Sequence, residues 1–331
     1  MTMELPQPLP PHSAAPPHPA HGTPRGPFSI VLNLASGSQD AAAAQAAIGA
    51  VLEAAGCDHR FVPLPDPARI GEVAAACARQ AAADGGVVVA AGGDGTINAV
   101  AHAVLDSGCI FGVLPMGTFN YFGRTHRIPE EVEAAARVLV EGQVRPVQVG
   151  VVNDRVFLVN ASLGLYPQLL EDREAAKQQF GRSRLVALGS ALKSLARNHR
   201  VLRLRLRTDE ASGILDTPTL FVGNNRLQLE QIGMAEAACV EQGRLAAIAL
   251  RPVSQLGMLG LALRGSLGML GDDDNVVSFS ARELTVSVAS GKALRIKVAT
   301  DGEVGWMRLP LRFGVAERPL ALLCPPTAAE G

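Results

Sequence analysis

Glycine and small polar residues follow three predicted strands in the first half of the chain. GGDGT, Gly92 to Thr96, comes directly after VVVAA, and MGTFN, Met116 to Asn120, comes directly after IFGVLP. The strand SIVLNLAS likewise leads into the loop Asn33 to Gly37. Because the carboxyl ends of parallel strands meet at one edge of a sheet, we expect these loops to share a crevice. Glycine there lets phosphate oxygens reach backbone N–H groups, which predicts a phosphate site.

An ordinary strand-to-helix turn would explain any one of these loops taken alone. The sequence has neither the G-x-G-x-x-G pattern of dinucleotide-binding folds nor the G-x-x-x-x-G-K-[ST] pattern of P-loops. The helix predicted to begin at Thr96 would add its positive N-terminal dipole and its free amides. Three such loops at one edge therefore favour a phosphate site of a different design.

The segment ATDGEVG, far downstream, contains the acidic residues Asp301 and Glu303. Asp-Gly is a strong signal for a β-hairpin turn, so the dipeptide by itself predicts an ordinary turn.

The composition argues against several classes of protein. A chain of 331 residues with 48% hydrophobic residues predicts two domains with large cores. A net charge of −1 and only 4% aromatic residues argue against a nucleic-acid partner. The five cysteines and seven histidines do not recur at metal-ligand spacings, so we expect buried, reduced thiols and no zinc site.

Two further segments bear on location. Residues 1–27 are rich in Pro, Ala and His and lack the apolar region of a signal peptide, which predicts a disordered tail. The longest apolar stretch, Val253 to Leu270, carries Arg264 at its centre and is predicted to be a core or amphipathic helix, not a membrane span. We therefore expect a cytoplasmic protein.

The order of the predicted elements indicates an α/β fold with two domains. Strands alternate with helices over residues 28–148, which predicts a parallel sheet covered by helices on both faces. Residues 149–312 contain mostly strand-like runs of period two and predict a mainly antiparallel β domain. Helical stretches interrupt it at Pro167 to Arg197 and Val253 to Leu270. Residues 313–331 form a C-terminal segment that could return to the first domain.

One predicted strand of the second domain, VLRLRLRT, alternates leucine with Arg203, Arg205 and Arg207. With a period of two, these arginines lie on one face of the strand. That face is either simply solvated or a patch for anionic lipid headgroups.

GGDGT, PMGTFN, VNASLGLYP, FVGNN and DGE, in this order, resemble the diacylglycerol kinase catalytic family, and most closely its bacterial branch of diacylglycerol, sphingosine and related lipid kinases. The resemblance covers nearly everything from Ser29 to Pro325. GGDGT alone is shared with NAD kinases and loosely with phosphofructokinases, whereas its combination with G-T-x-N and a late Asp-Gly-Glu is more specific. The resemblance implies an NAD-kinase-like first domain, ATP as the phosphate donor and Mg²⁺ as the metal.

The resemblance also assigns roles by position. It implies that Asp301 is the catalytic base, with Glu303 beside it, and that Asp94 lies near the nucleotide and its Mg²⁺. The residues that it places at the nucleotide are Asn33, Gly37, Gly92, Gly93, Asp94, Gly95, Thr96, Asn98, Gly117, Thr118 and Asn120.

Several positions depart from the family pattern. Leu34 stands where the family usually has proline, Tyr121 where it often has an acid, and Ala99 where glutamate is frequent. The family's metal-linked Asp-Asp-Gly segment corresponds best to Glu241 to Gly243, where Gln242 offers a carbonyl oxygen without charge. These losses leave open an altered metal arrangement, another substrate or a weak enzyme.

The sequence thus predicts an ATP-dependent lipid kinase that phosphorylates a hydroxyl group of a diacylglycerol-like lipid in a cleft between its domains. Peripheral contact with the inner face of the cell membrane is expected, and a nucleic-acid partner is not. Two alternatives stay open, namely a kinase for a soluble acceptor, chiefly NAD, and a nucleotide- or lipid-binding homologue without turnover. A monomer and a homodimer are both left open.

Overall fold

The computed structural model describes residues 26–33, 41–64, 66–180, 200–289 and 294–326. Leu34, Gly37, nearly all of the predicted tail and the predicted helix beyond residue 180 lie outside these residues. The described chain forms two compact units. The first unit takes in the residues up to Val149 and again those from Ala316, and the second unit is Gly150–Val315.

The strands and helices are numbered in chain order. The described strands are β1 (Phe28–Leu32), β2 (His59–Pro63), β3 (Val87–Gly92), β4 (Ile110–Pro115), β5 (Gln143–Val147), β6 (Gly150–Val152), β7 (Arg155–Phe157), β8 (Asn160–Gly164), β9 (Leu202–Thr208), β10 (Ser212–Thr217), β11 (Thr219–Gly223), β12 (Leu245–Leu250), β13 (Val276–Ala281), β14 (Glu283–Val288), β15 (Arg295–Thr300), β16 (Glu303–Arg308), β17 (Leu311–Val315) and β18 (Leu320–Cys324). The described α-helices are α1 (Ala41–Ala54), α2 (Ile70–Asp84), α3 (Asp94–Ser107), α4 (Tyr121–Thr125), α5 (Val132–Glu141), α6 (Leu165–Phe180), α7 (Arg226–Gln231) and α8 (Gln255–Ser266). Short 3₁₀ segments span Pro67–Arg69 and Ala235–Gln242.

Sheet A belongs to the first unit and has the strand order β2-β1-β3-β4-β18-β5. Its neighbouring strands are parallel except for β5, which is antiparallel to β18. β1 and β3 are buried along their whole length, as apolar strands in the middle of a helix-covered parallel sheet should be. The prediction of an α/β unit built on a parallel sheet is confirmed.

Sheet A differs in detail from the sequence-based expectation. We predicted no strand over Leu320–Cys324, which forms β18 between β4 and β5. Helix α5 begins at Val132, because the Glu131 carboxylate accepts the N–H groups of Glu133 and Ala134 and caps the helix there.

Two antiparallel sheets form the second unit, as predicted. Sheet B has the order β10-β9-β14-β17-β6-β7, and sheet C has the order β13-β12-β11-β8-β15-β16. Alternate side chains of both sheets meet in one buried cluster that includes Leu204 and Leu206 of β9, Val222 of β11, Val298 of β15 and Phe313 of β17.

The two sheets differ on their other faces. On sheet C, Leu229 of α7 and Met234 and Cys239 near the 3₁₀ segment pack against Ile248 of β12 in a second buried cluster. On sheet B, the arginines of β9 are exposed. The apolar stretch Val253 to Leu270 contains the helix α8. Among the described helices, none is long and apolar enough to cross a bilayer.

Candidate functional site

The ends of β1 and β3 meet at the carboxyl edge of sheet A. The side-chain amide of Asn33 donates to Thr96 Oγ1 at 2.9 Å, and the backbone N–H of Asn33 donates to the carbonyl of Ala91 at 3.1 Å. Asn33 and Thr96, assigned to one nucleotide site from the sequence, are therefore in direct contact.

The GGDGT and MGTFN loops are also in contact. Gly92 is the last residue of β3, and its carbonyl accepts the N–H of Met116 at 2.9 Å. A Cβ atom placed on Gly117 would lie 2.7 Å from Gly93 Cα, and one placed on Gly92 would lie 2.8 Å from Thr96 Cβ. Close backbone packing thus requires glycine at Gly117, and the Thr96 side chain leaves no room for a Cβ at Gly92.

The first turn of α3 has the properties of an anion site. Gly93 is the N-cap residue and supplies no side-chain cap, so the amides of Asp94, Gly95 and Thr96 are the first-turn donors that α-helices leave without intrahelical partners. The dipole of this 14-residue helix adds positive potential at the same end. Asn98 lies further along α3 and is half-buried.

The carboxylate of Asp94 links α3 to α4. Its Oδ1 accepts the backbone N–H of Phe122 at 3.3 Å. Burial raises the pKa of Asp94, against the opposing effect of the backbone N–H groups of Phe122, Tyr121 and Asn120 and of the charge of Arg124. Asp94 therefore holds the MGTFN loop and its helix against GGDGT.

Asn120 fixes the MGTFN loop from within. Asn120 is buried, and its backbone has a left-handed conformation with a φ of 48°. Its Oδ1 accepts the N–H of Gly117 at 2.8 Å, and its Nδ2 donates to the Gly117 carbonyl at 3.1 Å and to Glu130 Oε1 at 3.2 Å. The side chain of Asn120 thus shapes the loop, whereas Thr118 next to it is exposed.

An aromatic pair beside this loop escaped the sequence analysis. The rings of Phe119 and Tyr121 are stacked with an interplanar angle of 9° and centroids 5.9 Å apart, and Phe119 is 54% exposed. Both residues stand in GTFNY, so the signal was present, but we interpreted Tyr121 only as a missing acid. An exposed stacked pair offers a flat apolar face next to the glycine loops.

The Asp301 turn of the second unit joins β15 to β16. Asp301 and Gly302 have φ angles of 47° and 91°, and Thr300 pairs with Glu303, which makes a two-residue hairpin turn. The Asp301 carboxylate accepts three backbone N–H groups, from Leu158 at 2.7 Å and from Val159 and Asn160 at 2.9 Å each. The turn is therefore anchored to the start of β8, while Glu303 is exposed.

A buried polar network supports this anchor. Asn160 Nδ2 donates to Gln228 Oε1 at 3.0 Å, and the backbone N–H of Gln228 donates to Asn225 Oδ1 at 3.0 Å. Asn224 Nδ2 donates to the Leu158 carbonyl at 3.2 Å. These contacts explain why VNAS and FVGNN occur together with DGE, since all three segments hold one turn. Nothing in the sequence alone indicates this role for the asparagines.

The residues around Gln242 do not fit the metal site that the resemblance implies. The guanidinium group of Arg226 contacts the carboxylates of Glu230 and Glu241, and so cross-links α7 to the 3₁₀ segment. Gln242 adds no charge, and no group of three or more His, Cys, Asp or Glu residues in the described part of the chain could hold a metal ion. We therefore derive no step through a metal at this position.

Comparison with known proteins assigns one segment of the chain to a family. Residues 27–152 match the model of the diacylglycerol kinase catalytic domain. This segment belongs to the diacylglycerol kinase catalytic domain family. The diacylglycerol kinase domain so matched runs from β1 to the end of β6 and contains GGDGT and MGTFN, whereas Asp301 lies beyond it.

Several curated relatives carry the name diacylglycerol kinase, and two of them differ widely in coverage. One from Staphylococcus saprophyticus is 34% identical over 103 residues, which are 30% of this chain and 34% of that protein. One from Bacillus subtilis is 29% identical over 251 residues, which are 74% of this chain and 79% of that protein. The chain thus spans about a third of the first relative and most of the second.

A solved structure shares the fold. A crystal structure of a diacylglycerol kinase from Bacillus anthracis strain Sterne matches with a TM-score of 0.66 and covers 92% of this chain and 98% of that chain. The sequence identity is 18%, so this likeness concerns the architecture of the units alone.

Proposed function

We propose that this protein is an ATP-dependent lipid kinase that transfers the γ-phosphate of ATP to a hydroxyl group of a diacylglycerol-like lipid. The observation that carries the proposal is the joining of GGDGT to MGTFN within a segment of the diacylglycerol kinase family. The Asn33–Thr96 hydrogen bond and the close approach of Gly93 to Gly117 put three strand ends side by side at one edge of sheet A.

ATP would bind through its phosphates at the first turn of α3. The amides of Asp94, Gly95 and Thr96 and the helix dipole supply positive potential there. Mg²⁺ that enters with ATP would offset the charge of the phosphates. The aromatic face of Phe119 and Tyr121 offers a surface on which a nucleobase could stack.

We assign the role of general base to Asp301, with Glu303 beside it. The hydroxyl oxygen of the lipid would form a bond to the γ-phosphorus, the bond from this phosphorus to the β–γ bridging oxygen would break, and the hydroxyl proton would pass to the carboxylate. The three backbone N–H groups fix the position of Asp301. Phosphoryl transfer depends more on positioning than on a strong base, and a carboxylate held in place suits it.

Transfer of labelled phosphate from ATP tests the proposal. The purified full chain would be offered diacylglycerol, a sphingoid base, phosphatidylglycerol and NAD in separate reactions. We expect label in diacylglycerol. Label in NAD with all three lipids unlabelled would replace the proposal by the soluble-acceptor alternative.

A homologue that binds nucleotide without turnover is the second candidate. The observation in its favour is the Arg226 contact with Glu241, which occupies the segment where the family has a metal-linked acid. Measurable ATP binding by calorimetry, with no label in any acceptor, would support this candidate and contradict the first.

A further inference from the structure

The outer face of sheet B presents four arginine side chains to solvent. Arg203, Arg205 and Arg207 alternate along β9 with Leu204 and Leu206, which are buried in the core, and Arg312 occupies the same face of β17. We call these four side chains the arginine face.

The strand register places the arginine face in ordered rows. Thr285 of β14 is paired with Arg207 on one side and with Arg312 on the other, so the backbones of these two arginines lie about 10 Å apart, twice the strand spacing. Arg205 is paired with Ser287 and with Ile214 of β10, whose side chain is 49% exposed. The arginines therefore lie among small polar residues and one isoleucine, and the carboxylates of Asp216 on β10 and Glu283 on β14 lie on the same face.

Two carboxylates, Asp216 and Glu283, offset only part of the charge of the four arginines on this face. Arg203 lies 3.9 Å from Asp216 in an exposed pair. Arg205, Arg207 and Arg312 form no ion pair with any residue in the described ranges. Neighbouring arginines on β9 are about 7 Å apart, a spacing at which like charges repel. Because the whole chain has a net charge of −1, this concentration of cations is a local feature that an external anion would stabilise.

The chemistry of the face favours phosphate groups arranged on a plane. The planar guanidinium group matches phosphate oxygens with paired N–H donors, and it is less strongly hydrated than an ammonium group. The outward residues of β9, β10, β14 and β17 include no aromatic side chain on which a nucleic-acid base could stack. Exposed Ile214 among the arginines suits the boundary between headgroups and acyl chains.

We propose that the arginine face docks the protein on anionic phospholipids at a bilayer surface. The inference rests on the proposed function, because a diacylglycerol-like acceptor stays in the bilayer and the enzyme has to come to it. It also decides between the two interpretations of VLRLRLRT, in favour of the lipid patch.

Co-sedimentation with vesicles tests the proposal, with the full chain and without ATP. One set of vesicles contains phosphatidylcholine alone, and the other contains phosphatidylcholine and phosphatidylglycerol in equal amounts. The test variant is Arg205→Gln/Arg207→Gln/Arg312→Gln. The control is Arg79→Gln/Arg137→Gln/Arg318→Gln, which removes the same charge from exposed arginines of the first unit. A third variant changes the three sheet arginines to lysine.

The expected result is binding to the anionic vesicles alone, weakened by salt. Each arginine near an anionic surface raises the affinity for the vesicles by a factor of about five. The test variant, which lacks three arginines, should therefore bind roughly a hundredfold more weakly than the wild type. The control should bind like the wild type, and the lysine variant should retain most of its binding. Equal loss in test and control variants, binding to neutral vesicles, or binding to duplex DNA in place of vesicles would each overturn the proposal.

A second measurement separates this proposal from the proposed function. Label transfer to a short-chain diacylglycerol in neutral detergent needs no docking, so the test variant should match the wild type there. If no protein transfers label while the vesicle results are as expected, the kinase proposal fails and the docking surface stands. If the test variant misfolds, its cooperative unfolding transition will be lost. Vesicle binding by the lysine variant is then compared with binding by the single variant Arg207→Gln, which lacks only one of the charges.

Discussion

Glycines of the GGDGT and MGTFN loops bring backbone segments into contact, and single side chains then lock the loops in place. A Cβ atom on Gly117 would approach both Gly93 Cα and Asn120 Oδ1 within 3.0 Å. The Asp94 carboxylate reaches the start of α4, and the Asp301 carboxylate reaches the start of β8. Carboxylates that look catalytic in the sequence therefore also have a structural role, which mutational tests have to separate.

Gly117→Ala should lower the free energy of unfolding by about 1 to 3 kcal/mol, because the added methyl group meets backbone that cannot move aside freely. ATP affinity should fall with it as the two loops separate. Gly71→Ala is the matched control, since nothing lies within 4 Å of its Cβ position and alanine favours its helix α2. Urea unfolding and calorimetry with ATP measure both effects, and equal stability of the two variants would contradict the packing argument.

Asp301→Asn should abolish phosphate transfer and also destabilise the protein. The amide has a single acceptor oxygen, so at least one of the three backbone N–H groups loses its partner, at a cost of about 1 to 3 kcal/mol. Turnover would be measured at a temperature where the variant is still folded and binds ATP. Glu303→Gln, at an exposed position, should not change stability. Transfer that survives in Asp301→Asn but is lost in Glu303→Gln would move the base to Glu303.

Asp94 should make stability depend on pH. Burial raises its pKa in the folded state, so the folded protein holds this proton more tightly than the unfolded chain does. The stabilising contribution of the group is present below its unfolded pKa of about 3.9 and is lost as the pH rises through the folded value. Asp94→Asn should therefore be at least as stable as the wild type at neutral pH. The difference in the free energy of unfolding between the two proteins should become smaller as the pH is lowered.

Urea unfolding at a series of pH values checks the Asp94 prediction. Asp106→Asn, at an exposed position on the same helix α3, is the control. Its free energy of unfolding should differ from that of the wild type by an amount that does not show this dependence on pH. An Asp94→Asn variant that is less stable than the wild type at pH 7 would show that the hydrogen bond to Phe122 outweighs the cost of burying the charge.

Short elements of the second unit are held by polar cross-links. Arg226, which also pairs with Glu230 on α7, connects this helix with the 3₁₀ segment through Glu241. Gln228 connects α7 with Asn160 at the start of β8. Both links leave from one six-residue helix, which is too short to be stable by itself. The guanidinium group thus supplies positive charge beside the segment where the resemblance implies a metal.

Without nucleotide, the thermal unfolding of the protein should be the same in Mg²⁺ and in a chelator. The physical reason is that Glu241 is already neutralised by Arg226 and that Gln242 is uncharged. Scanning calorimetry in both buffers measures this. A clear rise of the unfolding temperature in Mg²⁺ would contradict the absence of a metal site around Gln242.

A designed pair of substitutions sharpens this test. Arg226→Gln/Gln242→Asp frees Glu241 and adds a second carboxylate, and the double variant should gain stability from Mg²⁺. Arg226→Gln/Gln242→Asn has the same shape without the added charge, and it should not respond. If Mg²⁺ raises the unfolding temperature of both variants equally, the carboxylate added at position 242 is not the cause.

The chain as a whole builds its first unit from two distant segments. After the second unit ends at Val315, the chain returns to sheet A and adds β18 between β4 and β5. Leu320, Leu322 and Leu323 of β18 are buried. The first unit, which contains nearly all of the segment that matches the family model, is therefore incomplete without residues that follow the whole second unit in the sequence.

Leu322→Ala should lower the free energy of unfolding by about 2 to 5 kcal/mol, because it leaves a cavity in the middle of sheet A. Leu263→Ala, at a leucine of α8 that is 62% exposed, makes the same chemical change and should have an effect of less than about 0.5 kcal/mol. Urea unfolding compares them, and similar losses would show that β18 adds little to the first unit.

Features that depend on neighbours within a few residues were determined by the sequence itself. The buried strands before GGDGT and MGTFN, the alternation of VLRLRLRT and the Asp-Gly hairpin turn all follow from local pattern and backbone preference. The α/β and antiparallel β organisation follows from the order of these patterns along the chain. The resemblance to the diacylglycerol kinase family depends on the order of several motifs, because GGDGT alone does not distinguish this family from others.

Features that depend on which distant segments meet were decided only by the tertiary structure. No local pattern shows that β18 inserts between β4 and β5, that Asp301 binds the amides of residues 158–160, or that Glu241 pairs with Arg226. The side chains of Asp94 and Asn120 look like ligands of a nucleotide in the sequence, yet in the fold they bind neighbouring backbone. Hydrogen bonds and ion pairs act over a few ångströms, so their partners are fixed by packing in space and not by spacing along the chain.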